Sequence, residues 1–388
     1  MHKMGDTTII GESSLENHDE ELGRDANLNQ TVPDDGPVKK TGYEFDPFCL
    51  SSFLTFRYVV NQTAEWAPAI RPRWPVLEAA ERIDVKDAGQ LLEALRLLVN
   101  RAMRQQTVGL LLGGGIDSAV LAALLPRGTP TYTVRFHAKQ PVDESPAAAR
   151  YAKRCGLPHH VVTVTWDDYE ERADWLMRHK RSPLHPAEVA LSLAACVAKA
   201  DGVEALLVGN GADSTFGGLD RLLSRDWTLE EFIQRYTFVE PSSVLTEPCS
   251  MKTVFEEYVR GQNLDASAFL RGVHRPGLFQ AFDNAINAAG CICVAPYESL
   301  TLAIPLDLMR IRRGEPKYLL REIFTQLFPG LPLAKKIAFA RPMDSWMGFW
   351  SGPQRAEFRP GLAMNCFSGE QKWLLYCLER FMNMMENE

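Results

Sequence analysis

Ten residues, Leu110 to Ala119 (Leu-Leu-Leu-Gly-Gly-Gly-Ile-Asp-Ser-Ala), restrict what this chain can fold into more than any other stretch. They read as strand, tight turn and helix. Thr107 to Leu112 is an apolar run of buried-strand length. Gly113, Gly114 and Gly115 then open backbone conformations closed to residues with side chains. Ala119 to Leu125 has the composition of a helix start. Such a turn points backbone N–H groups at whatever lies above it, and the helix dipole favours an anion there. Asp117 adds a carboxylate beside that anion, a sensible pairing where a divalent metal bridges carboxylate and phosphate. No Gly-Lys-Ser/Thr ends the loop, so it is not a Walker loop, and it is not the dinucleotide Gly-x-Gly-x-x-Gly either.

Around this loop the pattern alternates. Residues 1 to about 42 are polar and acidic with few large apolar side chains, so a disordered tail is expected there. Residues 43–105 form a lead-in that holds one helix, with Leu91, Leu92, Leu95, Leu98, Val99 and Ala102 at helical spacing. Further strands are expected at Thr131 to His137, His160 to Thr165 and Val203 to Val208, and helices at Ala147 to Arg154 and Pro186 to Lys199. Strands alternating with helices imply a parallel sheet covered on both faces. Ligands of such sheets bind beyond the carboxyl ends of the strands. A second glycine-rich turn, Gly209-Asn210-Gly211-Ala212-Asp213-Ser214-Thr215-Phe216-Gly217-Gly218, follows the last of these strands. Asp117 and Asp213 are therefore expected to face one site, as a two-carboxylate magnesium site on a nucleotide needs. The core spans 106–240, and 241–388 is mainly helical.

A net charge of −7 argues against a general binder of nucleic acid or anionic membranes. No apolar run is long enough to span a bilayer, and the start of the chain shows no signal-peptide pattern. The eight cysteines form no Cys-x-x-Cys, which suits reduced thiols in a cytoplasmic protein.

The first loop resembles the Ser-Gly-Gly-x-Asp-Ser pyrophosphate loop of the ATP pyrophosphatase superfamily, with Gly113 in place of the leading Ser. The second resembles the signature of the asparagine synthetase/β-lactam synthetase family. Lys317-Tyr-Leu-Leu-Arg321-Glu322 is similar to that family's Lys-x-x-Leu-Arg-Glu helix, and Lys335-Lys336-Ile-Ala-Phe339 with Pro342 and Trp346 to its ending. The resemblance implies an α/β fold of the adenine nucleotide alpha hydrolase type. Its parallel five-stranded sheet would carry helices on both faces, followed by a mainly helical C-terminal part. It implies ATP and magnesium, adenylation of a small-molecule or peptide carboxylate, and attack by an amine, in biosynthesis of specialised metabolites. Gly113, Gly114, Gly115, Asp117, Ser118 and Gly209 would hold the nucleotide, and Asp117 and Asp213 the metal. Val134 would meet adenine through its backbone, Lys317 would touch the phosphates, and Lys336 would stabilise charge on the reacting acyl-phosphate.

The match departs from the family at several points. The glutaminase domain is expected to be absent: position 2 is His and the first cysteine is Cys49. The amine-activating position, an acid or Tyr in the family, is Asn210. Gln280 falls near its partner Glu, Ser214 stands where Glu is common, and Ile292 and Val294 replace a Glu and an Arg. Two other readings stay open: adenylation for sulfur transfer with Cys291 or Cys293 as carrier, and a non-catalytic nucleotide-binding partner of another biosynthetic enzyme. A homodimer is compatible with each.

Overall fold

The apolar run before the first loop forms β1 (Val108–Leu111), the middle strand of a five-stranded parallel sheet. The other strands are β2 (Thr131–Phe136), β3 (His159–Val164), β4 (Ala205–Leu207) and β5 (Ile292–Val294), in spatial order β3-β2-β1-β4-β5. The structure is a computed structural model that describes residues 43–75, 82–138, 142–333 and 341–387. These belong to one unit, Asp35–Glu388. The expected tail, and Lys336 with its neighbours in 334–340, lie outside the described residues.

Helices cover both faces: α1 (Pro47–Phe56), α2 (Ala88–Gln105), α3 (Ile116–Leu124), α4 (Ser145–Cys155), α5 (Trp166–Lys180), α6 (Glu188–Ala200), α7 (Arg275–Ala288), α8 (Tyr318–Leu327) and α9 (Gly369–Asn387). Strand side chains alternate between faces, so each strand feeds two cores. Val108, Leu110, Ala205 and Leu207 enter a core with α2, α3, α4 and α8. Tyr132, Val162, Leu206 and Val208 enter another with α1, α5, α6 and α9. The lead-in is tied to the chain beyond β5 by a short parallel ladder, Ile83–Val85 on Leu300–Leu302.

Register positions the site. Val108 pairs with Ala205 and Leu110 with Leu207, so the loops after β1 and β4 leave the sheet side by side. β1 is also flanked by β2, which makes this the point where strand order reverses and where ligands of open α/β sheets bind. The fifth strand holds Ile292 and Val294, the residues that stand where the family has a Glu and an Arg. They are β-ladder positions paired with Ala205 and Leu207.

Candidate functional site

The first loop ends in a helix start without a side-chain cap. Gly115 is the N-cap of α3, at φ −86° and ψ 162°. Ser118 Oγ accepts from the Gly113 N–H at 3.1 Å and lies 3.2 Å from the Gly113 carbonyl, which it can donate to in turn. The Gly114 N–H instead donates to Glu144 Oε2 at 3.0 Å. The loop thus already holds a carboxylate oxygen, the kind of oxygen a phosphate would present. Burial raises the Glu144 pKa, and the bond from Gly114 opposes that rise. A side chain at Gly114 would press on Ala147 Cβ at 3.2 Å, whereas one at Gly115 would meet open space.

The two loops touch. A Cβ on Gly209 would lie 3.0 Å from Asp117 Cβ, so only glycine allows this approach. Gly211, at φ +91°, turns the chain into the short helix Ala212–Thr215 that carries Asp213. Asp117 and Asp213 meet at one cation: Lys317 Nζ pairs with Asp117 Oδ2 and lies 2.9 Å from Asp213 Oδ1. Burial alone would lower the Lys317 pKa, but the two aspartates outweigh it and hold the ammonium charged. Lys317 itself has φ +55°, a left-handed backbone that lets α8 begin directly after it. Any side chain at Gly218 would overlap Asp213 and Lys317. Tyr297 Oη donates to the Asp117 carbonyl at 3.0 Å and fixes the start of α3 from the β5 side.

Asn210 is buried and donates from Nδ2 to Glu298 Oε1 at 2.8 Å. Glu298 in turn pairs with Arg275, whose Nη1 donates to Thr215 Oγ1 at 3.2 Å. Gln280 donates to the Arg73 carbonyl at 2.7 Å, away from Asn210. Thr131 and His137 send their N–H groups to the β3 side, so by alternation the Val134 backbone faces the β1 side. Val134 lies beyond the last β1–β2 pair, Leu111↔Tyr132, which leaves that edge open next to the glycine loop. Along the β2–β3 ladder His159 Nε2 meets Thr133 Oγ1 at 2.8 Å, and His160 stacks on Tyr132. Glu188 is sealed in a pair with Lys180 at 2.6 Å.

Glu144, Tyr297, Glu298 and Arg275 escaped the sequence reading. Each reaches the site from a distant segment, and no short spacing announces it. Glu144 alone carried a signal, an acid just before a helix at a strand end.

Residues 90–282 match the asparagine synthase family model. Amidase chry2 of Gibberella zeae is 31% identical over 150 residues, which is 34% of this chain and 22% of that protein. A putative glutamine-hydrolysing asparagine synthetase of Mycobacterium bovis is 34% identical over 116 residues, 29% of this chain and 18% of that protein. The matched stretch thus spans about a fifth of these relatives' own length. The solved ammonia-dependent NAD synthetase of Campylobacter jejuni aligns with 50% of this chain and 96% of its own, at 16% identity and a TM-score of 0.27. With its paired glycine loops at adjacent strand ends, the chain carries, over residues 90–282, a domain of the asparagine synthase family.

Proposed function

We propose that this protein uses ATP to activate a carboxylate as an acyl-adenylate and passes the acyl group to an amine. The single observation behind this reading is the convergence of Asp117 and Asp213, from separate strand ends, on the one ammonium of Lys317. The triphosphate would lie across both loops. Its pyrophosphate would take the Gly114 N–H from Glu144 and lie on the N-terminus of α3. Adenine would meet the open backbone edge at Val134.

The donor set suits magnesium: two hard carboxylate oxygens already share a cation, and phosphate oxygens would complete the shell. Held by Asp117 and Asp213, magnesium would neutralise charge on the departing pyrophosphate. Among the described residues no three His, Cys, Asp or Glu side chains form a metal cluster on their own. In the first step an oxygen of the acid attacks the α-phosphorus and the bond to the β-phosphate breaks. In the second the amine attacks the acyl carbon and AMP leaves. Asn210 offers no base and Glu298 is held by Arg275, so the nucleophile would have to be an amine that is neutral at working pH.

Sulfur transfer is poorly supported. Burial raises the pKa of Cys291 and lifts that of Cys293 well above the usual thiol range, which disfavours a nucleophilic thiolate. Among the described residues no helix is long and apolar enough to cross a membrane.

A pyrophosphate-exchange assay over a panel of acids tests the reading. Exchange should need magnesium and one class of acid, and Asp117→Asn should lower it by about 100-fold or more. Nucleotide binding with no exchange for any acid would instead point to a non-catalytic partner protein. Exchange that survives Asp117→Asn would remove the metal assignment.

A further inference from the structure

Glu144 stands directly before α4, where a capping side chain would sit, yet its side chain caps nothing there. The neighbouring residue does that work: Asp143 Oδ1 accepts from the Ser145 N–H at 2.8 Å. The Glu144 main chain serves the helix in the ordinary way, its carbonyl accepting from the Ala147 and Ala148 N–H groups at 3.0 and 3.1 Å. The side chain leaves α4 and crosses to the first glycine loop, where Oε2 takes the Gly114 N–H. Helix α4 therefore gives no local reason for this carboxylate to lie where it does.

Charge does not explain it either. Among the described residues no basic side chain pairs with the half-buried Glu144 carboxylate. Burial and the nearby Asp143 both disfavour its charged form, and the Gly114 N–H opposes them. A carboxylate in this state is held at a cost, and it is held where a phosphate would bring its own oxygens. Space makes the two occupants exclusive. A Cβ on Gly113 would stand 3.1 Å from Glu144 Oε2, and one on Gly114 would stand 3.3 Å from Glu144 Cβ. The carboxylate lies against the loop backbone itself. A phosphate oxygen bonded to the Gly114 N–H would need the place of Oε2, and two anions that close repel each other.

We propose that Glu144 is an internal competitor for the phosphate cradle: it holds the Gly114 N–H in the empty protein, yields it to the pyrophosphate part of a nucleotide, and retakes it as pyrophosphate leaves. This role depends on the phosphate reading of the first loop given above. The contact at 3.0 Å is the first of the three states. Two consequences follow from competition. The apparent affinity for a phosphate ligand falls by the fraction of time in which the cradle is free, so a tenfold effect means a cradle free about a tenth of the time. A carboxylate that returns to Gly114 also shortens the stay of pyrophosphate, which raises the off-rate. The loop would thus be spared an empty, unsatisfied N–H at each end of the cycle.

The test uses the full chain with inorganic pyrophosphate and magnesium, and reads binding by calorimetry. Glu144→Ala should bind pyrophosphate about tenfold or more tighter than wild type, because a charge-assisted competitor is gone. Glu144→Gln keeps an acceptor without the charge and should fall between the two. A residue that merely braces the loop predicts the opposite sign, since its truncation would loosen Gly113 and Gly114 and weaken binding. Asp143→Ala removes the bond at the start of α4 without emptying the cradle, and should stay within about twofold of wild type. A tightening in Asp143→Ala as large as that in Glu144→Ala would assign the effect to α4 and overturn the competitor. Should Glu144→Ala fail to fold, Glu144→Gln decides by the same sign. Weaker or unchanged pyrophosphate binding in these Glu144 variants overturns the competitor and leaves the phosphate reading standing. No binding of pyrophosphate or ATP by wild type and both Glu144 variants alike overturns the phosphate reading, and the competitor with it.

Discussion

At the scale of single residues, the proposed nucleotide site is an electrostatic knot that needs its cation. Lys317 holds two carboxylates that would otherwise repel each other. Removing one partner of such a cluster is costly because like charges remain close in a partly desolvated place. Asp213 keeps 35% of its side-chain exposure, so solvent screens part of the penalty. Lys317→Met should therefore cost about 2–4 kcal/mol in a urea melt with chelator present. Magnesium should return most of that in the variant and add little to the wild type, because a divalent ion and an ammonium compete for the same two oxygens. A variant indifferent to magnesium would show that the aspartates do not hold it. The glycines and aspartates of this knot were legible because turn chemistry and dipole direction are local properties of sequence. Glu144, Glu298 and Arg275 were not, since what brings them there is packing between segments far apart in the chain.

At the scale of elements, long apolar runs announced themselves and short edge pieces did not. β1 to β4 are buried runs or alternating strands, and the sequence placed each to within a few residues. β5 is three residues on the sheet edge, with Ile292 49% exposed, so no periodicity could mark it. α5 was overlooked although Thr165 and Asp168 form a reciprocal capping box, a readable start signal. α7 leans on β5 across a groove of about 640 Å³, and Asp283 lines it. Burial raises the Asp283 pKa from 3.8 to about 6, with a bond from Asn287 pulling the other way. The sign follows from linkage. Below the unfolded value both states hold the proton and nothing is lost. As pH rises toward 6 the unfolded chain ionises first, so the folded state loses stability until Asp283 also ionises. The plateau loss is about 2–3 kcal/mol. Asp283→Asn should erase it: the variant should gain on wild type between about pH 4 and pH 6, stay ahead above that, and match it in more acidic buffer. Urea melts across this range check the point, and a difference independent of pH would assign the gain to packing.

At the scale of the molecule, the question is whether the parallel sheet with its two glycine loops can stand without the chain that follows it. Packing says it cannot. α9 sends Trp373, Leu374, Leu375, Leu378, Phe381 and Met382 into the core shared with β2, β3, β4 and α1. Phe381 sits 5.2 Å, ring to ring, from Trp66 of the lead-in, and Trp373 meets Trp166 at the start of α5 edge-on at 6.1 Å. Six large buried side chains at about 1.5–3 kcal/mol each amount to roughly 9–18 kcal/mol, as much as the whole net stability of an ordinary domain. A chain ending at Ser368 should therefore show no cooperative thermal transition. Phe381→Ala, which only opens a cavity, should keep the transition but lose about 3–5 kcal/mol. Leu97→Ala, at a side chain 62% exposed on α2, should stay within about 0.5 kcal/mol of wild type. A truncated protein that still melts cooperatively would show that α9 is an appendage, and that the sheet with its two glycine loops carries its own stability.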